Sequence, residues 1–191
     1  MKKLFLIAAM MIMTLAANAQ LKAGNTYIKP TIGINLANIS KWNGDMKFGI
    51  NVGGEIEHNL SKQFSLSAGL LYSMQGTQVK ANGQTIKNNF DYLNIPVLVN
   101  FYAAQGLALK FGVQPGFKTK ANVSKSGEGH SESGDLDGAE SMVFAIPVGI
   151  SYQISDFVLD ARYSFGISNV MKEGEGKHGV FSINLAYKLP L

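Results

Sequence analysis

The chain has no cysteine. Disulfide frameworks and thiolate metal sites are therefore excluded, although the absence fixes no compartment. Charge is also scarce. Asp, Glu, Lys and Arg make up 16% of the residues, against about 25% in an ordinary soluble domain. The formal charge of +4 includes Lys2 and Lys3 at the extreme N-terminus, so what remains gives no footprint for nucleic acid, and no nucleic-acid partner is expected. His58, His130 and His178 are widely separated and form no pair with metal-ligand spacing. No cofactor or metal is expected. Beyond residue 20 no apolar run approaches the length of a membrane-spanning helix.

What is present begins with a three-part leader. Lys2 and Lys3 form a basic start, Leu4 to Ala17 is apolar except for Thr14, and Ala17-Asn18-Ala19 has the A-x-A form of a cleavage site. The run is shorter than the roughly 20 residues a transmembrane helix needs. The expected division is a signal peptide at 1–19, cleaved after Ala19, and a single domain at 20–191. No cysteine follows the apolar run, which excludes a lipoprotein.

The rest of the chain alternates. Strands are expected near 27–36, 47–57, 64–75, 90–102, 107–118, 142–154, 157–168 and 180–189. Most exceed the usual strand length of about five or six residues and suit the roughly 9–11 needed for a tilted strand to cross a bilayer. One face of each is bulky and apolar: Ile28, Ile32, Ile34 and Leu36 in the first, Leu93, Ile95, Val97, Val99 and Phe101 in the fourth, Phe181, Ile183, Leu185, Tyr187 and Leu189 in the last. The other face is mostly Gly, Ser, Asn, Thr, Gln and Ala, and carries Lys29, Glu55, Glu57, Lys110, Lys118, Asp160, Arg162 and Lys188. Lys47, at the edge of its span, is expected on the apolar side.

Alternation alone does not say which face turns inward. Volume does. The bore of an eight-stranded barrel is just wide enough to be filled by side chains. The bulky face would overfill it, and the small polar face fits. The outer surface of a soluble barrel would also be densely charged, and the polar face is not. The apolar face is therefore expected to meet lipid. Connections agree, running long (37–46), short (58–63), long (76–89), short (103–106), long (119–141), tight (155–156) and long (169–179), as in barrels with short periplasmic turns and longer outer loops. Phe64, Phe101, Tyr152, Phe157 and Tyr187 then fall at one membrane boundary. Phe48, Tyr72, Phe117, Phe144, Phe165 and Phe181 fall at the other. The expected fold is all-β: an eight-stranded antiparallel up-and-down transmembrane β-barrel in the outer membrane of a Gram-negative bacterium. Pro30, Pro96, Pro115 and Pro147 fall inside strands, where each removes a ladder donor. Bulges that locally shift the faces are expected to absorb them.

Tyr92-Leu93-Asn94-Ile95-Pro96-Val97-Leu98 resembles the Y-L-x-I-P-x-L strand of the PorT-like outer-membrane β-barrel domain family. Asp160-Ala161-Arg162-Tyr163-Ser164-Phe165-Gly166-Ile167 resembles its R-Y-x-x-G-L strand, and Gly33-Ile34-Asn35-Leu36 its first-strand G-x-N pattern. The resemblance runs through the mature chain in strand order. It implies location and fold but no defined activity. The ending Leu189-Pro190-Leu191 departs from the terminal aromatic common in such barrels.

Seven inward charges, Lys29, Glu55, Glu57, Lys110, Asp160, Arg162 and Lys188, form the candidate site. In a narrow bore they must be paired, and a salt-bridge plug is the expected arrangement. A narrow pore or transport accessory is the alternative. Segment 119–141 holds Glu128, His130, Glu132, Asp135, Asp137 and Glu140, and reads as a solvated loop with scope for an extracellular ligand. Asp135-Leu136-Asp137-Gly138 is only a fragment of a calcium loop. His130, Ser133 and Asp135 have triad residue types without a scaffold to hold them; a lipid- or peptide-modifying enzyme is a further alternative. Gly174-Glu175-Gly176-Lys177-His178-Gly179 matches G-x-G-x-x-G, but a barrel strand follows it where a helix is required. Expected partners are outer-membrane lipid and the barrel-assembly machinery, with a monomer as the expected oligomeric state.

Overall fold

The computed structural model describes residues 21–42, 44–81, 84–127 and 130–191, with the side chains at 80–81, 127 and 130–132 also outside the description. The expected leader, 1–19, lies outside the described residues. Strand segments follow one another as β1 (Thr26–Ile39), β2 (Asp45–Asn59), β3 (Phe64–Ala81), β4 (Gln84–Asn94), β5 (Val97–Ala104), β6 (Leu107–Gly127), β7 (His130–Asp135), β8 (Met142–Ile154), β9 (Phe157–Gly166), β10 (His178–Tyr187) and β11 (Leu189–Pro190).

Neighbouring segments pair antiparallel, and β10 pairs back onto β1 from Thr31↔Ala186 to Ile39↔His178. The sheet therefore closes, leaving no edge within the ring, as a hydrocarbon environment demands. β4 and β5 are halves of one strand interrupted at Ile95-Pro96, and β11 continues β10 past Lys188. β7 pairs only with β6. The ring thus has eight strands.

The faces follow the alternation. Ile32 is 59% exposed and Phe111 58%, whereas Glu55 and Arg162 are each 4% exposed. The bulky residues point out and the charged ones into the bore. Lys47 corrects the expectation: it is buried, and its Nζ donates to the Gln75 carbonyl at 2.8 Å. Phe48 and Ile50 take the outward positions of β2, so strict period two sends Lys47 inward.

Two expected loops are mostly strand. Segment 76–89 continues the β3–β4 ladder as far as Ala81↔Gln84. Within 119–141, β6 runs on to Gly127 and β7 returns beside it from Gly127↔His130 to Asn122↔Asp135. The polar, Gly-containing composition read as loop, but cross-strand pairing satisfies these backbones. On this side β3, β4, β6 and β7 rise together beyond the rest of the rim.

The prolines sit in gaps in the ladders. Asn94↔Gly116 and Val97↔Val113 flank the gap that holds both Pro96 and Pro115, in one unbroken register. Ile95 N–H donates to the Pro115 carbonyl at 2.8 Å, and Gly69 N–H to the Pro96 carbonyl at 3.0 Å. Pro147 lies where β6 and β8 are unpaired between Phe111↔Val148 and Gln114↔Ala145. Pro30 lies where the partner of β1 passes from β10 to β11, at Lys188, whose N–H turns instead to the Asp156 carbonyl at 2.7 Å. No residue is inserted at these prolines, so the faces do not swap. The register shifts lie elsewhere, between Met46 and Asn51, Asp91 and Tyr92, and Tyr102 and Ala104.

Candidate functional site

The bore is layered. Its lower part, nearest the short turns, holds the seven charges. Lys29 Nζ lies 2.6 Å from Glu57 Oε2 and 3.3 Å from Glu55 Oε2. Arg162 Nη2 donates to Glu55 Oε1 at 2.9 Å and to Asp160 Oδ2 at 3.2 Å, and Lys110 pairs with Asp160. Lys188 is held more loosely, 3.5 Å from Glu57 Oε1, 3.4 Å from Tyr102 Oη and 3.4 Å from Gln153 Oε1, with its ammonium 4.4 Å above the Tyr27 ring. All seven are buried. Removing so many charges from water is costly, and mutual pairing with added hydrogen bonds offsets the cost.

Neutral groups complete this layer. Glu57 Oε1 accepts from the Ser65 hydroxyl at 2.9 Å and from the Tyr102 hydroxyl. Asn100 Nδ2 donates to Ser65 Oγ at 3.0 Å, and Asn184 Nδ2 to Asp160 Oδ1 at 3.1 Å. The mostly small composition of the inward face hides Tyr102 as a site residue. Its even parity with Leu98 and Asn100 was the available signal.

Above lies an amide layer. Asn51 Nδ2 donates to Asn35 Oδ1 at 2.7 Å, Asn35 Nδ2 to Ser73 Oγ at 2.8 Å, and Gln75 Nε2 to the same hydroxyl at 3.1 Å. Two cavities of about 20 Å³ are found here, the lower reaching Arg162 and Asn184 and the upper reaching His178. Each has room for about one water, far short of a continuous channel.

An apolar cluster closes the outer mouth: Ile39, Phe90, Tyr92, Ala139, Val143 and Val170, with Trp42, Leu136 and Met171 packed against it. His178 sits edge-on to Phe90 and Tyr92, and its Nε2 is 3.2 Å from Tyr92 Oη. Backbone bonds tie the covering segments together. Glu140 N–H donates to the Val170 carbonyl at 2.9 Å, Val170 N–H to Gly176 at 2.9 Å, and Ser40 N–H to Lys177 at 2.9 Å. Trp42 Nε1 donates to the Glu175 carbonyl at 3.2 Å, while Lys41 pairs with the Glu175 carboxylate. Lys118 Nζ reaches the Ala139 carbonyl at 2.7 Å.

The remaining sequence candidates stay apart from the bore. Ser133 and Asp135 lie on β7 opposite Ser124 and Asn122. The side chain of His130 and all of Glu128 lie outside the described residues. Among the described residues no group of three His, Asp or Glu side chains could hold a metal ion. Glu175 and Gly176 belong to the cover over the mouth.

Comparison with known proteins agrees with this geometry. The profile of the family described as outer membrane protein beta-barrel domain matches residues 18–172. Among solved structures, the chain is similar to Ail, the attachment invasion locus protein of Yersinia pestis, with a TM-score of 0.54 at 17% identity, covering 88% of this chain and 100% of that one. It is similar also to Neisserial surface protein A, with a TM-score of 0.52 at 15% identity, covering 86% and 97%. No curated protein sequence matches.

Proposed function

The chain belongs to the outer membrane protein beta-barrel domain family, and from that premise we propose that it is a closed surface barrel of a Gram-negative outer membrane whose working part is the raised sheet of β3, β4, β6 and β7. The leader 1–19 exports it, and the barrel-assembly machinery inserts it as a monomer. The short turns 60–63, 105–106 and 155–156 face the periplasm. The strand motifs favour a PorT-like member of that family. The reading assigns it no catalytic activity.

One observation carries the reading: the bore is blocked by the charge layer and again by the apolar cluster at its outer mouth, while one sector of the outer rim rises as paired strands that nothing in the barrel requires. β7 leaves one backbone edge unpaired among the described residues. An unpaired strand edge is a template for another chain, and the partner we assign to 119–141 is an extracellular ligand. Ail, which shares the fold, has attachment in its name.

The absence of cysteine gives a clean topological test. Ser133→Cys in the raised sheet is expected to react with a membrane-impermeant maleimide on intact cells. Lys62→Cys in a short turn is expected to react only after the outer membrane is permeabilised. The reverse pattern, or extraction of the protein without detergent, overturns the proposal.

A further inference from the structure

Gly33 and Asn35 belong to the first-strand G-x-N pattern, and Arg162 to the R-Y-x-x-G-L pattern. The raised sheet uses neither pattern, yet inside the barrel the two meet. Gly33 pairs with Asn184 on β10 and with Asn51 on β2, so three inward positions lie in a row across β10, β1 and β2. The middle one has no side chain, and the amides on either side lean into its place. A Cβ at Gly33 would lie 2.5 Å from Asn51 Oδ1 and nearer still to Asn184 Oδ1.

The far end of each amide fixes which end faces this slot. Asn51 Nδ2 donates to Asn35 Oδ1 at 2.7 Å, and Asn184 Nδ2 to Asp160 Oδ1 at 3.1 Å. Turning either amide over would set oxygen against oxygen. Two carbonyl oxygens therefore converge on one place, and among the described residues neither has a hydrogen-bond partner. Arg162 brings a third unpaired atom. Its guanidinium reaches from β9 to Glu55 on β2, and the ring order puts β10 and β1 between those strands. Arg162 Nη2 serves both Glu55 and Asp160, while Nε has no partner among the described residues. Asn51, Asn184 and Arg162 all line the lower of the two cavities of about 20 Å³, and each is at most 5% exposed.

Unpaired polar atoms this deeply buried are costly, and ordered water is the usual remedy. The chemistry of the three atoms selects the same occupant. The guanidinium repels a second cation, and the two carbonyl oxygens repel an anion. An apolar group satisfies none of the three. Water has two hydrogens to give and a lone pair to receive one, and a buried water typically makes about three bonds. We propose that one ordered water is bound here as a structural ligand, donating to Asn51 Oδ1 and Asn184 Oδ1 and accepting from Arg162 Nε–H. It ties the charge layer to the amide layer. The two sequence patterns then share a task. Gly33 leaves the room, Asn35 holds the Asn51 amide the right way round, and Arg162 supplies the donor.

Two measurements on the purified barrel in detergent test the site. A high-resolution crystal structure should place one water within hydrogen-bond distance, about 2.7–3.2 Å, of all three atoms. In solution, the Arg162 Hε proton should show a nuclear Overhauser contact to water. Asn51→Leu with Asn184→Leu removes both acceptors and fills the space with methyl groups, so that contact should be lost. A direct bond from Arg162 Nε–H to either amide oxygen with no density between them would overturn the proposal. So would a sodium ion in the water's place, recognised by shorter and more numerous oxygen contacts, or a water contact unchanged in the double variant. A heat-dependent gel shift, run on every variant, identifies failure to form the barrel, and in that case the wild-type density decides alone.

Discussion

Arg162 and Glu55 stand 107 positions apart in the chain, yet the guanidinium donates to the carboxylate at 2.9 Å. The contact joins β9 to β2, which share no ladder. Breaking such a buried pair from one side leaves an uncompensated charge, and Glu55→Ala is expected to cost about 3–5 kcal/mol. Replacing both partners, as Glu55→Leu with Arg162→Met, should cost much less than the two single changes together. Urea unfolding from lipid vesicles, followed by the heat-dependent gel shift, measures both. Additive losses would show that the pair is not coupled.

The layered bore predicts electrical silence. Refolded protein in planar bilayers should give no steady unitary current. Phe90→Ala with Tyr92→Ala removes the outer closure but leaves the amide and charge layers, so it should remain non-conducting. Steady currents from wild type would favour the narrow-pore alternative.

Trp42, the single tryptophan, reports on the cover of the mouth. A Cβ added at Gly176 would lie 2.6 Å from Trp42 Nε1 and 2.9 Å from Ile39 Cγ2. Gly176→Ala should therefore displace the indole, shifting its emission to longer wavelength and breaking its bond to the Glu175 carbonyl. The barrel below should keep its gel shift. Unchanged emission would contradict the tight seating of the ring.

The cover should also respond to acid. The hydrogen bond and charge of Lys41 hold the Glu175 carboxyl below the usual glutamate range. A lowered carboxyl pKa contributes stability that is fully present above the ordinary glutamate value and is lost as pH falls through the depressed one. Both groups are exposed, so the effect is local and weakened by salt. Amide exchange at Ser40 and Lys177, normalised for its intrinsic pH dependence, should show less protection as Glu175 protonates, with the barrel ladders unaffected. Lys41→Gln should remove the step.

Much of the fold was legible because period two in a closed sheet leaves few choices. The parity that puts Ile32 and Phe111 outside puts Glu55 and Arg162 inside, and volume decides between the two ways round. The extent of the raised sheet was not legible. Its strands carry Asn, Ser, Thr and Lys, which favour turns when read locally, and only the partner strand reveals a ladder. Tyr92 and Phe90 are exceptions to an inward face that is mostly small. The bore is sealed at the outer mouth by large rings, and a rule of average composition does not locate them. The prolines misled in the other direction. Pro96 and Pro115 are far apart in sequence, and only the pairing shows that they share one gap.

The raised sheet makes the barrel lopsided when seen from the end opposite the short turns. In a crowded membrane, one quadrant of the molecule stands above its own cover, and whatever touches the cell first meets that wall. In the proposed orientation, outside contact would therefore fall on the strand ends at Ala81 and Gln84 and at Gly127 and His130, while the remaining strands answer to the bilayer alone.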